Sequence, residues 1–467
     1  MDSNFSISRF CIDGFLRKYD VDIEFPGRIN IMVGENGLGK TTILNCLYYV
    51  LSGQFNKLDS VEFKRIRVYF AENDCFEITK DNIYALNLDW NDYRRRESLS
   101  FQRRNDRAVS NEFFVKLEGI HRKFKKVIDN NELDEVIDSI DFEDRFKDIQ
   151  RTYILKSTIE NQARYLRNKI RGANNTILYF PTYRRIEEEL SNIGGVIDFD
   201  EDCSRVSVNR LKRYEKYVTN VIENSSLIQF GMHDVDALIN EFLGKIKDRS
   251  VTGYRKFMED LLHQFIDQDN QYLLIPMEFT DEILTRLDIV IDRIGLNLSK
   301  DEKKRFIDKV VNTGSLLATK FLVESLLKIY EGQEYYDKAL QDFLETCNSY
   351  FTNKKYVYDK KALKLFIQSS DDQKELALSQ LSSGEKQIVS IFSKIFLNKK
   401  SSIVLFDEPE LSLSIFWQKK ILVDIMNSQK CSFMFAVTHS PFIFDNELAE
   451  YTFPMSNYIK VRKYYGK

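Results

Sequence analysis

The chain has 467 residues, more than one compact domain usually holds, so two lobes or one domain with a large insertion are expected. A hydrophobic fraction of 43% supplies a core and excludes a disordered chain, while 30% charged residues with few Pro and Gly favour long, water-facing helices. Lys plus Arg at 68 against Asp plus Glu at 71 gives a net charge of −3, which excludes a uniformly basic surface but leaves local patches open.

The first residues, MDSNFSISRF, have no basic segment followed by an apolar one, and no apolar run approaches the ~18 residues that span a membrane. A cytoplasmic protein with no membrane partner is therefore expected. The six cysteines stand singly, with no CxxC pair for zinc or redox chemistry, and read as reduced, mostly buried thiols.

The first informative element is INIMV at 29–33, a short apolar strand, followed by GENGLGKTT and the apolar run ILNCLYYVL. Gly34, Gly37 and Gly39 let the backbone curl so that successive N–H groups, Asn36 among them, point inward. A helix beginning at Thr41 and Thr42 adds its positive end to the same cavity. The cavity suits the triphosphate of ATP, with Lys40 reaching the outer phosphates and the Thr41 hydroxyl binding Mg²⁺. A plain glycine-rich turn is the alternative, which the flanking strand and helix disfavour.

Farther along, YRRRESLSFQRRNDR at 93–107 interleaves Arg94, Arg95, Arg96, Arg103 and Arg104 with aromatic residues. It reads either as a patch for nucleic-acid phosphates or an acidic partner, or as a solvated loop. From about 105 to 350 the pattern is mainly helical without sustained heptads or a CxxC apex, so a compact helical insertion is expected instead of an extended coiled-coil arm. One strand-like interruption, TILYFPTYRRIEEEL at 176–190, is expected to return to the rest of the fold. Its Arg184 and Arg185 are expected to meet phosphate or a partner, or to pair with the neighbouring Glu187, Glu188 and Glu189 along a helix.

A second cluster opens with LSQLSSGEKQIVSIFSKIFL, in which Ser382, Ser383, Gly384 and Glu385 precede a run of helical period. Such a loop presents N–H groups and a hydroxyl at a helix N-terminus, though SSGE alone is also an ordinary cap. The next element, SSIVLFDEPELSLS, is a buried strand ending in Asp407 and Glu408. Asp407 would complete the Mg²⁺ shell, and Glu408 would orient and deprotonate the water that attacks the γ-phosphate. The strand CSFMFAV then ends at Thr438, His439 and Ser440, where His439 would sense or stabilise that phosphate. His121, His233 and His263 lie in helical, charged surroundings and receive no role.

In this order GENGLGKTT, LSSGEKQ, IVLFDEPELSLS and VTHSP resemble the ABC-type ATPase heads of the SMC, RecF and OLD group, over roughly 1–85 and 350–445. The resemblance implies an α/β fold: a P-loop NTPase head with a mixed sheet and helices, carrying a large helical insertion. The implied division is a head N-terminal lobe at 1–105, an insertion at 106–350 and a head C-terminal lobe at 351–467. It also implies that Ser382 and Gly384 act in trans, closing over ATP held by another copy in a homodimer or higher oligomer. Departures are Ser383 for the usual Gly, Leu38 for the usual small residue, and Ser412, Leu413 and Ser414 where His or Asp is usual. Gln54 and Gln102 are the candidates for the Q-loop glutamine.

The length, the insertion and YFPTYRRIE resemble the AriA ATPases of PARIS anti-phage systems, with Septu- and retron-associated ATPases similar at the same motifs. This implies a sensor and scaffold that holds and releases a separate TOPRIM or HNH nuclease, or toxin, in answer to a phage trigger protein. The stretch after His439 is far short of the ~100 residues of an independent nuclease domain. The alternative is a DNA-repair or recombination clamp of the RecF and SMC type, so nucleic acid stays open as a partner.

Overall fold

The computed structural model describes residues 6–35, 37–70, 74–87, 147–182, 232–266, 280–295, 298–312 and 317–462. The chain divides into two compact units, Met1–Leu227 with Lys400–Leu411 and Cys431–Lys467, and Ile228–Lys399 with Ser412–Lys430. The arginine patch at 93–107, Gln102, Asn36, Arg184 and Arg185 lie outside the described residues.

The first unit is built on a parallel sheet of β3 (Ile29–Val33), β6 (Asn175–Phe180), β10 (Ser401–Asp407), β11 (Cys431–Thr438) and β12 (Thr452–Pro454), in the order β12-β3-β11-β10-β6. β10 reads as an unbroken apolar run because it is covered on both faces, and Ile403, Val404, Leu405 and Phe406 are fully buried. Residues hundreds of positions apart thus become neighbours, with Val33 beside Thr438 and Asp407 beside Val437. Their carboxyl ends align along one edge, where open α/β sheets bind ligands.

Helix α1 (Lys40–Ser52) is apolar around most of its circumference and accordingly buries Ile43, Leu44, Leu47, Tyr48, Val50 and Leu51. It ends at Gly53 in the left-handed conformation, φ 74°. Tyr179 of β6 donates to Asn45 of α1 at 2.6 Å and stacks on Tyr48.

Alongside lies an antiparallel sheet of β1 (Ile7–Phe15), β2 (Tyr19–Glu24), β4 (Arg65–Phe70), β5 (Cys75–Thr79) and β13 (Ile459–Val461). Its β4 alternates polar and apolar residues, so Ile66, Val68 and Phe70 reach the core while Arg65 and Arg67 pair with Asp13 on the other face. The remaining described helices of this unit are α2 (Lys80–Asn87) and α3 (Lys147–Gly172), the latter burying Ile159, Ala163, Leu166 and Ile170 at helical spacing. The unit is therefore α/β with parallel and antiparallel sheets.

The second unit is mainly helical, with α4 (Met232–Ile266), α5 (Asp281–Arg293), α6 (Lys300–Asn312), α7 (Leu317–Asn348), α8 (Ser383–Phe396) and α9 (Ile415–Asn427). A small antiparallel sheet of β7 (Lys354–Asp359), β8 (Lys364–Ser369) and β9 (Glu375–Leu376) precedes α8. Thr280 caps α5 through the Ile283 amide, and Leu287, Val290, Val310, Val323 and Leu326 form a local core. Inside it Arg293 pairs with Asp337 at 2.7 Å, both buried, and donates to Gln333 and the Lys360 carbonyl.

Among the described cysteines Cys11, Cys46, Cys347 and Cys431 are buried and Cys75 is exposed. Burial pushes the Cys46 and Cys431 thiols up to about 12, so they are inert. His263 is exposed on α4. Among the described residues no helix is long and apolar enough to cross a membrane.

Candidate functional site

The first part of the site is the turn between β3 and α1. Gly37 and Gly39 both adopt φ 86°, a region open to glycine at no steric cost. At Gly39 a side chain is excluded twice, because a Cβ would also lie 2.9 Å from the Phe15 ring. α1 begins at Lys40, one residue before the position expected from the sequence. The Lys40 ammonium is nearly buried and donates to the carbonyls of Gly34 at 2.6 Å and Glu35 at 2.9 Å, which folds the side chain back over the loop.

The carboxyl end of β10 lies beside this loop. Thr41 Oγ1 donates to Asp407 Oδ1 at 3.0 Å, joining residues 366 positions apart in the chain. Asp407 is 1% exposed, at the end of a strand with no other charge. Hydroxyl and carboxylate together offer two adjacent hard oxygens, the donor type Mg²⁺ prefers, and leave its remaining positions to phosphate and water. Among the described residues no cluster of three or more His, Cys, Asp or Glu could hold a metal ion. The residues present fit ATP with Mg²⁺; the cation, when bound, neutralises charge on the phosphates.

Glu408 follows in the left-handed region, φ 49°, with its amide held to the Val437 carbonyl at 2.9 Å. Such a backbone in a non-glycine residue costs of order 1–3 kcal/mol and is kept where surrounding structure enforces it. Here Pro409 follows, and β11 holds the amide. The carboxylate lies 3.4 Å from His439 Nδ1. His439 Nδ1 is also 3.2 Å from Oε1 of Glu410, a residue that sequence reasoning passes over.

The loop before α8 belongs to the other unit. Ser382 caps α8 reciprocally: Glu385 N donates to Ser382 Oγ at 3.3 Å, and Ser382 N donates to Glu385 Oε2 at 2.7 Å. Lys354 of β7 adds a third contact to Glu385 Oε2 at 3.2 Å. Burial works to raise the Glu385 carboxyl, but the Ser382 groups and Lys354 outweigh it and leave the carboxyl below its ordinary value. Gly384 is forced to be glycine by space, since a Cβ would fall 2.8 Å from the Ser412 carbonyl and 3.1 Å from the Trp417 ring. Ser412, in the turn after Pro409, has φ 64°.

The structure thus joins Gly34, Gly37, Gly39, Lys40, Thr41 and Asp407 in one place, with Glu408 and His439 in contact at the same strand edge. Gln54 sits at the start of a short 3-10 turn and donates to Tyr48 at 3.1 Å. Lys354 and Glu410 are additions to the sequence reading. No local pattern marks Lys354, whereas the acid of DEPE was visible without its partners.

Residues 11–241 match a family described as "AAA domain", and residues 233–445 match one described as "AAA domain, putative AbiEii toxin, Type IV TA system". The DNA replication and repair protein RecF of Clostridium tetani (strain Massachusetts / E88) is 22% identical over 352 residues, 72% of this chain and 85% of RecF. The chain is an ATPase whose two AAA-domain matches together span residues 11–445. Among solved structures, the Smc head domain of Pyrococcus furiosus with an extended coiled coil, bound to the C-terminal domain of ScpA, aligns with this ATPase over 94% of its chain and 91% of the Smc chain. The identity is 14% and the TM-score 0.34. A second structure, the SmcHead bound to the C-winged helix domain of ScpA, aligns over 94% and 90% at 13% identity and TM-score 0.30.

Proposed function

We propose that this ATPase is the nucleotide-operated sensor and scaffold of a two-component bacterial anti-phage system, holding a separate nuclease or toxin and releasing it on a phage signal. The observation that carries the switch is the division of motifs between two compact units. The phosphate loop, Asp407, Glu408 and His439 belong to one, and the Ser382–Glu385 loop belongs to the other. In this reading Lys40 holds the outer phosphates, Thr41 and Asp407 hold Mg²⁺, Glu408 serves as general base and His439 attends the γ-phosphate. The Ser382 loop comes from a second copy, so that turnover requires assembly. The match of residues 233–445 to a toxin–antitoxin family favours a defence setting, and the resemblance to PARIS ATPases favours a TOPRIM effector over an HNH one.

The similarity to RecF favours a second reading, a DNA-repair clamp in which the arginines at 94, 95, 96, 103 and 104 carry nucleic-acid contact. One experiment separates the two. The tagged chain is purified from its native operon with ATP, and co-purifying proteins are identified. A stoichiometric effector, lost on a phage trigger, together with phage protection that disappears in Lys40→Ala, is the expected result. Salt-dependent DNA binding that vanishes when those arginines are replaced, with no effector bound, would overturn the defence reading.

A further inference from the structure

Glu410 lies beyond the strand end in a position with few ordinary explanations. It is 6% exposed, and a carboxylate is rarely taken so far from water unless it is well hydrogen-bonded. Its Oε1 accepts from Thr438 Oγ1 at 2.8 Å, His439 N at 3.1 Å and Ser440 N at 3.2 Å. Thr438 Oγ1 in turn accepts from Ser440 N at 3.0 Å. One oxygen therefore gathers the whole turn that follows β11.

The same oxygen stands 3.2 Å from His439 Nδ1, and Glu408 Oε1 stands 3.4 Å from that nitrogen. A ring nitrogen facing two carboxylate oxygens bears the proton, since a lone pair there would meet only acceptors. Nε2 is then the nitrogen left for a ligand. A carboxylate that fixes tautomer and ring orientation from behind is a known physical device at catalytic and metal-bound histidines.

We infer that Glu410 is a positioning residue of the ATPase site: it holds the 438–440 turn and keeps the His439 proton on Nδ1, so that the Nε2 lone pair can accept from the water attacking the γ-phosphate while Glu408 remains poised to take that water's proton. The inference rests on the assignment of Glu408 and His439 to the hydrolytic step. Glu410 acts through Thr438, His439 and Ser440, which its Oε1 holds. Replacing it with Gln preserves shape but opposes the carboxamide NH₂ to one or more of the donors now gathered there.

Four full-length proteins test this: parent, Glu410→Gln, His439→Ala and the double variant. Steady-state ATP turnover is measured for each, with imidazole ¹⁵N spectra of the parent and Glu410→Gln. The His439 signal is identified by its loss in His439→Ala. The expected result is a kcat lowered about tenfold or more in Glu410→Gln with KM for ATP within about twofold. No further loss is expected when Glu410→Gln is added to His439→Ala, and the Nδ1–H signature should appear in the parent only. An equal loss in both backgrounds, or an unchanged tautomer, would overturn the inference. Parental turnover by His439→Ala would instead overturn the assignment of His439 on which the catalytic consequence depends, with the tautomer measurement still deciding what Glu410 does. Nucleotide binding and thermal unfolding of Glu410→Gln distinguish a misfolded variant, and the tautomer test is repeated in Glu410→Asp if Glu410→Gln does not fold.

Discussion

At the scale of single residues the phosphate loop depends on one buried cation. Lys40 has its ammonium against the Gly34 and Glu35 carbonyls, poised where phosphate oxygens would compete for it. Lys40→Ala removes both the charge and its donors, so ATP affinity is expected to fall at least about a hundredfold, some 3 kcal/mol, by calorimetric titration. Glu408→Gln keeps the side-chain shape. It should therefore bind ATP as the parent does and turn over about a hundredfold more slowly, accumulating ATP-bound assemblies visible by light scattering. Parental turnover by Glu408→Gln would dismiss Glu408 as the base. Lys40, Thr41, Asp407 and Glu408 were legible in sequence because each sits at a fixed offset within its own short motif. Glu410 was not, because its partners are 28 to 30 residues away on the turn after β11 and only folding brings them together.

At the scale of elements, legibility follows burial. β10 and α8 announce themselves through unbroken or helical-period apolar runs, and the strand within 176–190 does so as Asn175–Phe180 beside β10. The β7–β8 hairpin does not, since its lysine-rich strands are only partly buried and show no clean alternation. The same limit hides the Arg293–Asp337 pair, whose members stand 44 positions apart on α5 and α7. Asp337 also accepts from Tyr358 at 2.6 Å, so the pair ties both helices to β7. Removing one partner of a buried pair leaves an uncompensated charge, and Asp337→Ala is expected to cost about 3–5 kcal/mol in urea unfolding. Replacing both, as Arg293→Met with Asp337→Leu, should recover most of that loss. A double variant as unstable as Asp337→Ala would mean that the pair itself, not the stranded charge, supplies the stability.

At the scale of the whole molecule, two ends of the chain build one sheet. β3 from residues 29–33 pairs with β11 from residues 431–438, and everything between must fold without disturbing that register. The loop before α8 belongs to the other unit, and in the proposed mechanism it serves the phosphate loop of a second copy. That arrangement makes a quantitative prediction. Lys40→Ala spoils the phosphate loop and Ser382→Arg spoils the partner loop, so each variant alone should be inactive. Mixed in equal amounts and allowed to exchange, half of the dimers are heterodimers, and each contains one composite site with both parts intact. Turnover should return to about a quarter of the parental rate if sites work independently. Recovery far below that, with heterodimers shown to form by tag exchange, would mean that both sites must fire together. Parental turnover by Ser382→Arg alone would remove the trans loop from the mechanism.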